Sequence, residues 1–194
     1  MSVCIAGATG IYQLAPVLMA STEDPNRVRA QPMTMSVPRP PALTPFQIVD
    51  PTPSRLVIPK INVDAVIEAR GLDSQRNMET PTDFRDVAWY KLGPSPGQPG
   101  NALINGHVNW WTGDAVFTKL GQLRTDDEVT VLRADGLPVH FKVTGTQTVD
   151  ANARIAALFA PSPVATLTLI TCTGVWNPLT QSDTRRLIVS AVLE

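Results

Sequence analysis

Cys172 closes the β-branched apolar run Thr168-Leu169-Ile170-Thr171-Cys172 and is the only cysteine besides Cys4, which lies near the opposite end of the chain. Asn105-Gly106-His107 ends sixty-five residues upstream, and Arg186 follows fourteen residues downstream. These three side chains supply a nucleophile, a proton carrier and a fixed cation. A cysteine attacks carbonyls as thiolate, so its ordinary pKa of about 8.5 must be offset by a nearby positive charge. Histidine can hold that charge and also return a proton to a departing amine near neutral pH. Arginine does not deprotonate, which suits it to hold a carbonyl or the oxyanion formed on attack. Together they describe acyl transfer through a thioester. Each residue alone has a plainer explanation: a buried thiol, a turn histidine, a solvated edge arginine.

Strand periodicity decides whether they can share a surface, because successive side chains alternate faces. Leu167 and Leu169 set the core phase of the cysteine strand, which puts Cys172 on the other face. Leu187, Val189, Ala191 and Leu193 do the same for the last strand, leaving Arg186 outside and Arg185 in the core phase. Arg186 is therefore the chosen cation, with Arg185 as the alternate. If Ala102 and Ile104 face inward, His107 points outward with Asn105, although Leu103 shares that phase. His140, with Lys142 and Thr144, lies opposite Phe141 and Val143 and reads as a solvated strand histidine.

Eight short runs separated by turn residues carry these side chains: 55–58, 63–67, 87–90, 101–106, 128–132, 139–149, 166–171 and 187–193. Their spacing, with punctuation such as Gly93-Pro94-Ser95-Pro96-Gly97, predicts an all-β closed barrel or sandwich with helical turns near 115–120 and 153–159. Three regions follow. Residues 1–22 hold no charge between Ser2 and Thr22 and form a membrane anchor or uncleaved signal, with no Lys or Arg before it and Arg27 and Arg29 behind it. Residues 23–54 are a proline-rich linker, and 55–194 are the catalytic domain.

Composition narrows the partners. A formal net charge of −1 with 17% charged residues offers no basic field to a nucleic acid. Cysteine and histidine lack the paired spacing of a zinc site, and no carboxylate cluster suggests calcium, so neither cofactor nor metal is expected.

The stretch 100–107 ending in Gly106-His107, the Thr168-Leu169-Ile170-Thr171-Cys172 run, the Arg186-Leu187-Ile188-Val189 strand and the Phe117/Leu120 turn resemble the sortases, cysteine transpeptidases of bacterial surfaces. The resemblance covers 55–194 and implies an eight-stranded barrel with Cys172 as nucleophile, His107 as proton donor and Arg186 as the oxyanion or carbonyl contact. It further implies cleavage of a Leu-Pro-x-Thr-Gly-like C-terminal sorting signal on surface proteins, then transfer to an amine of a peptidoglycan precursor or a pilin. The enzyme would be held at the cell membrane through its N-terminus with an extracytoplasmic catalytic domain. By position, Thr171, Ala157, Leu158 and Trp176 line the substrate groove, and Trp110 and Trp111 shape it near His107. Thr173 after the cysteine and the lack of an Asp-Pro-Trp-like lid place the chain nearer classes D to F than A, B or C. Two alternatives are weaker: an L,D-transpeptidase, whose Ser-x-Gly-Cys pattern is missing, and a non-catalytic extracytoplasmic peptide-binding module on the same barrel.

Overall fold

The computed structural model describes residues 51–111, 113–179 and 182–194, all within one compact unit that spans 46–194. The expected anchor at 1–22 and most of the linker at 23–54 lie outside the described residues. Ten strands form among the described residues: β1 Pro53–Ile58, β2 Val63–Arg70, β3 Val87–Tyr90, β4 Gly100–Gly106, β5 Asn109–Trp110, β6 Gly113–Asp114, β7 Glu128–Arg133, β8 Pro138–Asp150, β9 Ala165–Asn177 and β10 Ser182–Leu193. Eight of them close a barrel in the order β1-β2-β3-β4-β9-β10-β8-β7, and β5 pairs with β6 as a separate ribbon. The β2–β3 and β4–β9 pairs are parallel and the other pairs antiparallel.

Each of the eight runs expected from the sequence is one of the eight barrel strands. The β5–β6 ribbon is additional. The helical turn expected at 153–159 is the 3₁₀ segment Ala156–Phe159, whereas the one expected at 115–120 is displaced to the 3₁₀ segment Leu120–Gln122, and a third at Pro59–Ile61 leads into Asn62, whose φ of 55° turns the chain from β1 into β2. A 3₁₀ turn satisfies local carbonyls without the length a packed helix needs.

Alternation fills the barrel. Leu56, Ile58, Val129, Val131, Phe141, Leu167, Leu169 and Val189 belong to one buried cluster with Phe117 and Leu120 from the β6–β7 connection. Phe117 and Phe141 are fully buried, and each such side chain contributes roughly 1.5–3 kcal/mol on leaving water. Leu103 and Ile188 are also buried, yet neither belongs to that cluster: they face outward on β4 and β10. The β8–β9 connection forms a second layer on this side of the barrel, tied down where Asn101 Nδ2 donates to the Leu158 carbonyl at 3.0 Å. A strand face buried on the outside as well as the inside explains why Leu103 breaks the simple alternation of β4.

Candidate active site

Three adjacent strands, β4, β9 and β10, hold the three chemistry-bearing residues in one row. Arg186 is the register partner of Cys172 across the β9–β10 pair. On the other side the parallel pairing sets Asn105 against Ile170, so the next two residues of each strand bring His107 level with Cys172. A side-chain bond fixes that level, since the Thr171 hydroxyl donates to the Gly106 carbonyl at 2.7 Å, one residue before Cys172 and His107 respectively. Neighbouring strands are about 4.8 Å apart, which makes each step of the row about that long.

Phase then puts all three on the outer face. Leu167, Leu169 and Thr171 are buried on the inner face of β9, whereas Ile170 and Cys172 face out and are half-buried. His107, Cys172 and Arg186 line a common cavity of about 660 Å³, a volume suited to a peptide segment. Arg185, the alternate, is exposed and does not line the cavity; its side chain passes over Gly174, on the other face of β10. Leu158 and Thr171 are on the cavity wall, but the Thr171 hydroxyl is turned inward to Gly106. Ala157 and Trp176 are outside the lining: Trp176 lies beyond the barrel end on the β9–β10 hairpin, opposite Asp183, and is 59% exposed.

The electrostatics of the row are asymmetric. Arg186 donates from Nη1 to the carbonyls of Asp183 and Arg185, each at 3.0 Å, and from Nη2 to the Ser182 hydroxyl at 2.9 Å. These partners hold the guanidinium without neutralising it. The Cys172 thiol is pushed above its ordinary pKa, chiefly by burial; Asp183 adds to the rise, while Arg186 and a hydrogen bond with Ser182 oppose it. Burial therefore favours the neutral thiol over the thiolate in the resting site.

His107 approaches the Pro81 carbonyl through Nε2 at 3.3 Å. A carbonyl only accepts, so Nε2 carries a hydrogen in this contact and Nδ1 is the nitrogen left for proton exchange. The ring also abuts Trp110 at 5.2 Å between centroids, and Trp110 stacks on Phe84 at 5.6 Å. Trp110 thus backs the imidazole, while Trp111 is 89% exposed and neither tryptophan lines the cavity.

The sequence did not point to one wall of the cavity, the β2–β3 connection. There Leu72 bridges Met78, and Asp73 Oδ1 accepts the backbone N–H groups of Gln75 and Asn77, each at 2.8 Å. Asn105 Nδ2 donates to the Glu79 carbonyl at 3.0 Å, which fastens the connection to β4 two residues before His107. The Asp-Ser-Gln-Arg-Asn stretch at 73–77 is the available signal, because Asp and Asn favour such self-bonded turns.

The family model of the sortase domain matches residues 56–194. This chain belongs to the sortase family. Solved structures agree on the fold: sortase C-1 from Actinomyces oris superposes with a TM-score of 0.56 at 24% identity, over 75% of this chain and 76% of that one. A lid mutant of sortase A from Corynebacterium diphtheriae gives 0.58 at 22%, over 77% and 74%. Sortase A from Listeria monocytogenes gives 0.55 at 17%, over 75% and 88%. At these identities the likeness carries the sortase fold and not the class. No curated protein sequence matches the chain significantly.

Proposed function

We propose that this sortase-family chain is a cysteine transpeptidase that cuts a Leu-Pro-x-Thr-Gly-like sorting signal and passes the acyl group to an amine of the cell wall or a pilin. The observation that carries the proposal is the row Arg186–Cys172–His107 across β10, β9 and β4, facing one cavity.

The chemistry follows from the geometry. A peptide carbonyl bound over Cys172 meets a neutral thiol, so attack requires the sulfur to give its proton to His107 as the S–C bond forms. Arg186 donates to the oxyanion that develops on the carbonyl carbon, and its full charge makes it a strong donor there. Collapse breaks the C–N bond, with the imidazolium returning its proton to the departing amine. A thioester on Cys172 remains. In the second half the acceptor amine attacks, His107 takes its proton, and the thiol leaves as the new amide forms. Pro81 and Trp110 keep the imidazole in place through both halves.

The setting proposed with this activity is the outer face of the cell membrane, with residues 1–22 as the anchor and 23–54 as the spacer to the barrel. Membership in the sortase family and the proline density of the spacer support it.

The decisive experiment is trapping. An electrophilic sorting-signal analogue should attach to Cys172, visible as a single mass shift, and Cys172→Ala and His107→Ala should abolish turnover of a fluorogenic peptide while keeping the wild-type circular dichroism spectrum. Labelling without any turnover by the wild-type chain would refute the transpeptidase and leave a peptide-binding module.

A further inference from the structure

The cavity beside Cys172 is charged with one sign. Among the described residues its ionic lining consists of Arg76, Arg154 and Arg186, with no aspartate or glutamate, in a chain whose formal net charge is −1. Arg186 is spoken for by Ser182, Asp183 and Arg185. Arg76 and Arg154 differ: among the described residues neither guanidinium makes an ion pair or a side-chain hydrogen bond. Elsewhere on the surface Arg55, Arg70, Arg85 and Arg133 each pair with a carboxylate.

Arg76 and Arg154 come from different connections, Arg76 from β2–β3 and Arg154 from β8–β9, and they converge on one cavity. Arg76 has a φ of 65°, a left-handed conformation disfavoured for any residue other than Gly, Asn or Asp. The turn maintains it through the Arg76 N–H bond to the Asp73 carbonyl at 3.0 Å, while the Asp73 carboxylate is engaged with loop amides. Backbone strain of this kind persists where the surroundings enforce it and tends to mark a working position. Around these cations the wall combines apolar Leu72, Met78, Ile155 and Leu158 with polar Gln75 and Asn77, so an anion there would meet donors as well as packing surface.

We propose that Arg76 and Arg154 bind a carboxylate of the peptide substrate, which makes the site selective for acidic peptides. The assignment rests on the peptide-processing function proposed above and adds the charge class of the substrate. Guanidinium suits the task because its planar donors match the two oxygens of a carboxylate. The carboxylate comes either from an Asp or Glu near the scissile bond of the donor or from the acceptor that carries the amine.

Binding, rather than turnover, provides the test. Fluorescence anisotropy on full-length Cys172→Ala would compare donor peptides that carry Glu, Gln or Lys at each position around the scissile bond. Acceptor peptides that differ only as carboxylate or carboxamide form the second arm. The expected result is a preference for the acidic member in one arm, roughly two- to five-fold for each arginine, weakening as salt rises. Adding Arg76→Gln or Arg154→Gln should each reduce the preference, and both together should remove it. Lys119→Gln, a cation outside the cavity, should leave it intact. Arg76→Glu with Arg154→Glu should reverse it toward the Lys peptide. Both arginines are exposed and unpartnered, so these variants keep the fold. The arm that shows the preference identifies the source. No discrimination in either arm, or a discrimination that survives the double variant, overturns the proposal. Failure of the wild-type chain to turn over any peptide would overturn the transpeptidase and leave this binding result standing on its own.

Discussion

Thr171→Val is the sharpest probe of how the row is kept in line. Valine has nearly the shape of threonine and suits a strand at least as well, so packing around position 171 is preserved. What disappears is the donor that reaches the Gly106 carbonyl at 2.7 Å from a side chain only 3% exposed. Loss of one buried partner of this kind costs about 1–3 kcal/mol. Urea unfolding should report it as a lower midpoint with an unchanged slope. The functional loss should exceed the stability loss, because the bond joins the residues immediately before His107 and Cys172. Misplacement by about 1 Å in a catalytic pair can cost on the order of 100-fold in rate. We expect the turnover number of the fluorogenic peptide to fall by one to two orders of magnitude, roughly, with folding retained at 25 °C. Alkylation of Cys172 by a small neutral reagent, which needs no help from His107, should stay within about two-fold, since that bond contributes nothing to thiol exposure. Thr171→Ser keeps the hydroxyl and should retain most of the turnover. Wild-type stability and turnover in Thr171→Val would refute the claim that this bond aligns the two strands.

Arg186→Lys should lower kcat by about 100- to 1,000-fold, as removal of an oxyanion donor does, because one ammonium cannot replace a planar fork held by Ser182 and two carbonyls. Arg185→Ala should be nearly silent in the same assay, and a damaging Arg185→Ala would overturn the phase assignment of β10. Asp183→Asn removes a charge that raises the Cys172 pKa, so the pH profile of thiol alkylation should move to lower pH; Arg186→Gln should move it to higher pH, and either shift in the opposite sense contradicts the electrostatics of the site. A methyl group at Gly106 would come within 2.8 Å of both Phe117 Cδ2 and Val116 Cγ1, so Gly106→Ala should destabilise by about 1–3 kcal/mol in thermal or urea unfolding and depress turnover through the neighbouring His107.

The barrel and the row could be read from the sequence for one physical reason: a strand has a period of two, and the barrel interior demands apolar side chains at every second position. Leu167 and Leu169 fix the face of Cys172 whatever lies beyond the strand, and Leu187 to Leu193 fix Arg186 over Arg185 in the same way. The register that makes them neighbours is a property of pairing and had no local signal. Arg186 meets Cys172 through the antiparallel β9–β10 register, and the run expected at 187–193 begins one residue after the arginine. The walls of the cavity follow no period at all. Ala157, Leu158 and Trp176 were placed by proximity in sequence to the cysteine strand, yet only Leu158 reaches the cavity, whereas Arg76 and Met78 reach it from a connection nearly a hundred residues away. That connection is defined by hydrogen bonds between Asp73 and its own amides and by the Asn105–Glu79 bond, contacts invisible to a hydrophobic pattern. The division has a consequence for substrate choice. Residues that perform the chemistry are constrained by strand phase and by the barrel, so substitutions there act on the core as well. Arg76 and Arg154 stand on connections whose side chains strand phase does not constrain, and exchanging them should change the preferred peptide charge without moving the cysteine, the histidine or the arginine of the row.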